Sequence, residues 1–561
     1  MILDHATIWT GDPRCPRGET IRIAGGRIVA VGSREEVVAA PGEERLDLRG
    51  AFLCPGLVDA HAHVMEFGLA LERPDLAGAA SLEEALTRVK TGGEENTRSG
   101  SRSWILGRGW DQNPWPGGAY PHRKDLDRIT GDRPAALTRV DGHALWVNSR
   151  ALEAAGITAA TADPPGGRIL RDENGEPSGI LIDNAMNPVD AAIGAPDDAT
   201  RCRAIRAAAD RMVRAGLTGV HDMGMDAADL AAYRGLAASA DLGVRVYAAI
   251  VAEDPELERI LASGPDLLEA GGWFRLGMVK FFLDGALGSR GAALLEPYAD
   301  ARETRGLLVT PPRDLARGVA RTAAAGFQAA LHAIGDRANR LALDTWDFLA
   351  REHPAWATGR AVPAAPVSGL GPRPPRVPPV RIEHAQVIHP GDLDRFAALG
   401  AAAGMQPVQC AGDLPWMEAR LGPSRLAGAY AWGDLLDRGV VVASGSDFPV
   451  ESHDPRIGLV AALTRARPDG TGAGTLPGRP MTRSEALVSF TAAGAYLSGD
   501  LHRRGTLSPG KDADLAVFDR NLLTCRPSEI LEAKTLMTMI GGRIVWRDAG
   551  VVPVSMSGDH P

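Results

Sequence analysis

Long apolar runs are missing from this 561-residue chain: its most apolar windows, 397–405 and 439–445, are short and rich in Gly and Ala, whereas a bilayer span needs about 20 apolar residues. No membrane association is expected. Cysteine is scarce and unpaired in pattern. Cys15, Cys54, Cys202, Cys410 and Cys525 are scattered, odd in number and free of any CxxC pair, which argues against a disulfide framework and a thiolate zinc site. A reducing cytoplasm fits that usage. Positive charge is in deficit, with 61 Lys and Arg against 70 Asp and Glu and a net charge of −9, so no nucleic-acid partner is expected. The opening MILDHATIWTGD carries neither a basic start nor an apolar stretch ending in small residues, so no secretory signal is expected. HExxH, GxSxG and paired CxxC are absent, which removes the zincin, serine-hydrolase and zinc-finger readings. The run GTLSPGK at 505–511 imitates a phosphate loop, but Asp512 stands where the magnesium-binding hydroxyl belongs, and nucleotide binding is rejected there.

What is present is a soluble globular composition, 45% hydrophobic and 23% charged, far from the signature of disorder. Short strand-like runs fill residues 1–54, with Thr20 to Ile23 and Arg27 to Val31 flanking Gly25-Gly26, a dipeptide suited to a tight hairpin. Near the far end IGGRIVW echoes the early AGGRIVA, after another strand-like run, ADLAVFD. One small β domain, 1–54 with 505–561, is inferred from both chain ends. Between them, apolar runs alternate with Ala-rich helical stretches, the pattern of parallel βαβ units. The runs are GLVDAH, LTGVHDM, VRVYAAI, GMVKFFLD, QAALHAI, VRIEHAQ, AAAGMQP and VVVASGSD. Their number is that of a (β/α)8 barrel, placed at 55–504. Two insertions break the spacing. One, about 65–202, would leave from the C-terminal face and is the candidate substrate-binding lid. The other, 354–380, carries eight prolines and reads as a disordered or extended spacer.

Chemistry concentrates at the strand ends. His61-Ala62-His63 places two imidazoles at i and i+2, which point the same way on a strand and can share one metal. Lys280 in MVKFF, His332 in ALHAIGD, His384 in IEHAQ and Asp447 in GSDFP close other strands. A histidine in an apolar run is usually a core residue bonded to backbone, and Asp447 could cap a turn. Lys280 is harder to dismiss, because an ammonium between Val279 and Phe281 needs a partner, a lowered pKa or a modification. Their joint occurrence at strand ends favours a site over these alternatives.

The order PGLVDAHAH, VKFFLDGALGSRGAAL, HAIGDRAN, IEHAQ and SDFPVE resembles the metal-dependent amidohydrolase superfamily. Within it the chain is most similar to the YtcJ-like amidohydrolase 3 group, which includes N-substituted formamide deformylases. That closer likeness rests on the long insertion, GRGWDQNPW (107–115) and the VKFFLDG strand. The resemblance implies an α/β fold, a TIM barrel with a composite β-sandwich domain, to which GTLSPGKDADLAVFD (505–519) returns. It also implies two divalent metal ions, zinc foremost, though manganese, iron or nickel could fit the ligands. His61, His63 and Asp447 would hold the more buried ion, and His332 and His384 the more exposed one. Lys280, carboxylated by carbon dioxide on its neutral amine, would bridge the two. A Lys desolvated among Val279, Phe281 and Phe282 suits that modification.

The implied reaction is hydrolysis of a non-peptide C–N bond of an amide type, N-formyl, N-acyl or cyclic. A water between two cations loses its proton near neutral pH and attacks a polarised carbonyl. Asp447 would act as general base and then deliver the proton to the leaving nitrogen. Trp110, Asp111 and His143 in the insertion combine an apolar face with polar groups, as ligand pockets do, although Trp is also ordinary core and Asp a common turn residue. Asp284, four residues past Lys280, would contact a substrate amine or cap a turn. His221-Asp222 closes the second strand and would either support a neighbouring ligand or serve a purely structural role. The partner is a small-molecule substrate, and a homodimer is implied by the resemblance alone. An isomerase or lyase on the same barrel, or a catalytically silent scaffold, are the alternatives.

Overall fold

Strands buried on both faces are mostly apolar, and the eight runs, mostly apolar but carrying some buried charged and polar residues, pair side by side. The computed structural model describes residues 1–98, 104–112, 115–139, 144–164, 167–266, 272–357, 359–361 and 376–549. In chain order the parallel strands are β1 (Leu57–Ala62), β2 (Leu217–Met225), β3 (Arg245–Val251) and β4 (Phe274–Phe282). They continue with β5 (Gln328–Ala333), β6 (Val380–His384), β7 (Ala402–Met405) and β8 (Val442–Ser444). Each pairs with its predecessor in the sequence of eight. Beyond β8 the chain meets β1 again: the Asp447 N–H donates to His61 O at 2.7 Å and the His63 N–H to Phe448 O at 2.8 Å. The sheet is thereby a nearly closed barrel. Only strand limits differ from the sequence reading; β4 starts three residues before GMVKFFLD and ends two before Asp284.

The chain ends build two sheets. One has the order Arg27–Gly32, Thr20–Ala24, Ile2–Asp4, Arg45–Asp47; the other runs Arg543–Arg547, Thr535–Ile540, Leu515–Phe518, Phe52–Pro55, Thr7–Trp9, Arg17–Gly18. Leu3, Ile21 and Ile28 of the first share one core with Ile8, Leu53, Val517 and Met537 of the second. The echoed glycine pairs are hairpin turns, with φ of 58° and 77° at Gly25 and Gly26 and 56° and 75° at Gly541 and Gly542. The two turns press together, since a Cβ on Gly26 would lie 2.8 Å from Gly541 O. Glycine is required there both for positive φ and for close approach.

Residues Met65–Ala208 form a separate compact unit, ending inside the helix Asp198–Arg214 rather than at about 202. Its five-stranded sheet has the order Gly167–Arg171, Pro177–Asp183, Ala144–Val147, Ala135–Arg139, Ile105–Trp110. Leu76, Val89, Trp110, Trp115, Leu126 and Trp146 are among its buried core. The Pro-rich 354–380 segment departs from a plain spacer at its ends, which hold a short helix, Pro354–Ala357, and a two-residue ladder between Arg360–Ala361 and Arg376–Val377. Residues 362–375, with most of its prolines, lie outside the described residues. All five cysteines are free thiols. Among the described residues no helix is long and apolar enough to cross a membrane.

Candidate metal centre

The barrel gathers six side chains from strands far apart in sequence. His61 and His63 sit at the C-terminal end of β1, Lys280 near the end of β4, His332 on β5, His384 at the end of β6, and Asp447 three residues past β8. Asp447 Oδ1 lies 3.5 Å from His61 Nε2 and 3.3 Å from His63 Nε2. Among the described residues the donor atoms of these three all fall within 4.8 Å of one another. The His384 ring is the link to the rest, 4.8 Å from the His61 ring and 4.4 Å from that of His332, centroid to centroid.

These groups are buried but incompletely bonded. His61 Nε2, His332 Nε2 and His384 Nδ1 have no hydrogen-bond partner although all three are shielded from solvent. Burial, and then the Lys280 charge, push the His61 pKa well below its ordinary value; burial and the His384 charge do the same to His332. Both rings are therefore neutral at pH 7 and carry a free lone pair. Lys280 is fully buried; among the described residues its Nζ reaches Met223 O, at 3.5 Å, and the Phe282 ring, at 4.9 Å. Burial lowers its pKa against the pull of Glu383 and Asp447. Burial would raise that of Asp447, but a hydrogen bond from His63 and the neighbouring imidazoles of His61 and His384 hold it well below the usual carboxylate range. Buried polar atoms normally find partners, and neutral imidazoles with a carboxylate form a donor set for zinc and its neighbours. The residues fit a divalent metal.

A supporting network was not visible in the sequence reading. His61 Nδ1 donates to Glu383 Oε2 at 2.6 Å, and Arg381 pairs with the same carboxylate. Arg381 also donates to Ala60 O at 2.8 Å and lies 2.8 Å from His221 Nδ1. Asp59 accepts the His61 and Ser446 N–H groups and the Ser446 hydroxyl, tying β1 to the β8 end. A Cβ on Gly445 would lie 2.4 Å from His61 N, so glycine permits that approach. Gln409, in the helix Pro407–Asp413 that follows β7, donates to Asp447 Oδ2 at 2.8 Å.

The expected substrate contacts divide. Asp284 takes its turn-capping role: it accepts N–H groups from Ala293, Ile334 and Gly335 at 2.8–3.0 Å, and lies 3.7 Å from His332 Nε2. Burial, partly offset by those three bonds, pushes its pKa up to about 7. Trp110 is ordinary core of the Met65–Ala208 unit, wholly buried, with its indole N–H donated to Leu137 O at 2.8 Å. Asp111 is partly exposed and pairs with Arg139 at 2.8 Å. His143 lies outside the described residues.

The sequence profile of the Amidohydrolase family matches residues 44–546. YtcJ of Bacillus subtilis (strain 168) is 32% identical over 548 residues, covering 94% of this chain and 96% of that protein. The N-substituted formamide deformylase of Arthrobacter pascens is 27% identical over 574 residues, covering 98% and 99%. The crystal structure of an uncharacterized metal-dependent hydrolase from Pyrococcus horikoshii OT3 superposes with a TM-score of 0.77 at 27% identity, covering 94% and 98% of the two chains.

Proposed function

This chain belongs to the Amidohydrolase family, and from that premise we propose that it is a metal-dependent hydrolase of a non-peptide C–N bond in an N-formyl, N-acyl or cyclic amide. The observation that carries this reading is the set of three buried imidazole nitrogens that make no hydrogen bond, gathered with Asp447 and with a buried Lys280 whose Nζ has Met223 O at 3.5 Å. The N-substituted formamide deformylase relative supports the formamide end of the substrate range. His61, His63 and Asp447 would hold one divalent ion and His332 and His384 a second, with Lys280, as a carbamate formed from its neutral amine and carbon dioxide with loss of a proton, as a further oxygen ligand. When bound, such ions acidify a water and polarise a carbonyl.

The chain's own residues manage the proton and the geometry. Asp447 is anionic at neutral pH and is oriented by Gln409 on Oδ2. It accepts the water's proton and returns it to the departing nitrogen, which leaves as an amine. Neutral His61 and His332 keep their lone pairs for ligation rather than for protons. Metal analysis of protein purified without chelator, with crystallographic density at Lys280 and an assay of formate release from N-formyl amines, tests the reading. About two ions per chain, extra density on Nζ and formate release are expected; a metal-free chain, even after zinc and bicarbonate, overturns it.

A further inference from the structure

A metal-ligating imidazole needs its other nitrogen fixed, because the ring can carry its proton on either one and can rotate about its bonds to Cβ. At His61 the fixing group comes from the far side of the barrel. Glu383 and His61 belong to β6 and β1, strands that are not neighbours in the sheet, yet Glu383 Oε2 stands 2.6 Å from His61 Nδ1. Both side chains are wholly buried. A carboxylate can only accept from that nitrogen, so Nδ1 carries the proton and the unpartnered Nε2 carries the lone pair.

Glu383 is itself held on every side. Arg381, two residues earlier on β6, pairs with both of its oxygens. The same guanidinium reaches Ala60 O, the carbonyl just before His61. From β7, Gly404 closes the remaining space: a Cβ there would lie 2.4 Å from Glu383 Oε2. The arrangement spends a buried ion pair on the orientation of one ring. Such a pair is weak evidence for stability in its own right, since two apolar residues of similar volume often serve as well.

We propose that Glu383 is the positioning residue of His61: by accepting the Nδ1 proton across the barrel it sets the tautomer and aim of the ring, and Arg381 clamps it there. The proposal rests on the reading of His61 as a metal ligand. Arg381→Met/Glu383→Gln removes the buried charges but keeps an acceptor for Nδ1; Arg381→Met/Glu383→Met removes the charges and the acceptor together. Neither leaves an unpaired charge to unfold the barrel.

Zinc dissociation constants from chelator competition, with cobalt(II) absorption as a spectroscopic check on ligand geometry, compare both double variants with the wild-type chain. Circular dichroism and thermal melts verify that both are folded. The Gln variant is expected to bind zinc within a few-fold of wild type, and the Met variant about 10–100-fold more weakly with an altered cobalt spectrum. Equal affinities in two folded variants, beside a wild-type chain that binds zinc, overturn the positioning role and leave the metal reading standing. A wild-type chain that binds neither zinc nor cobalt overturns both.

Discussion

The two ends of the barrel both bury charged side chains, and they treat them in opposite ways. At the N-terminal end Arg245 Nε meets Asp514 Oδ2 at 2.6 Å, Arg275 Nη2 meets Asp500 Oδ2 at 2.8 Å and Arg504 Nη2 meets Asp512 Oδ2 at 3.1 Å. Asp514 directly precedes the strand Leu515–Phe518 of the six-stranded sheet, so its pair with Arg245 of β3 ties that sheet to the N-terminal end, or floor, of the barrel. At the C-terminal end Lys280 has a carbonyl at the limit of hydrogen bonding and three buried imidazole nitrogens make no hydrogen bond. Pairing serves cohesion, whereas open donors serve ligation. One scaffold carries both by keeping them at opposite ends of the same strands.

Substitutions should separate the ends. Asp447→Asn is expected to lower kcat by about 10²–10⁴-fold, the usual worth of a positioned acid–base group, while the fold persists; steady-state kinetics beside a thermal melt reads both. Loss of the fold instead would place Asp447 with the floor residues. Asp514→Ala removes the nearest carboxylate of the buried Arg245 and leaves it the more distant Asp512, 3.7 Å away, so a destabilisation of up to about 3–5 kcal/mol is expected, with kcat per folded molecule unchanged. Denaturant unfolding measures it. Lys280→Met should carry the opposite sign in the metal-free chain, a gain of about 1–3 kcal/mol from removing a buried amine held by one long hydrogen bond, together with loss of metal binding. A destabilised Lys280→Met apoprotein would mean that the mouth, too, is built for cohesion.

The smallest expected effect is in pH. The Asp514 pKa is lowered: burial opposes this, but the Arg245 charge and hydrogen bond outweigh it. Its contribution is therefore complete above the unfolded value of about 3.9 and lost as pH falls below it. Asp284, raised to about 7, binds its proton more tightly folded than unfolded. In the metal-free chain it contributes stability at low pH, and that contribution declines as pH rises from about 3.9 to about 7 and is gone above it. Melts from pH 3 to 8 of wild type, Asp514→Asn and Asp284→Asn resolve the two slopes, each variant flattening its own window.

Much of this contrast was legible in the chain before folding. The eight runs are mostly apolar because both faces are covered, and all eight became barrel strands in order. His61 and His63 announce themselves by alternation, and Lys280 by the cost of burying an ammonium among apolar neighbours. Glu383 did not. As the neighbour of His384 it should face away from the site by period two, but His384 and Ala385 take φ of 69° and 42°. The backbone turns at the strand end, and both side chains reach the interior. Trp110 was ambiguous for another reason: an indole suits a pocket and a core alike, and only its bond to Leu137 O separates them.

The sequence alone determined the alternation of strand and helix, the residue types able to ligate metal, and the absence of positive excess, paired cysteine and long apolar runs. Those properties are local or additive along the chain. Tertiary structure decided which lone pairs stay open, which carboxylate clamps which imidazole, and that two echoed glycine turns, 516 residues apart between Gly25 and Gly541, lie against each other. Each depends on distances across the barrel or between sheets, and on how burial alters the cost of a charge, which no spacing along the chain encodes.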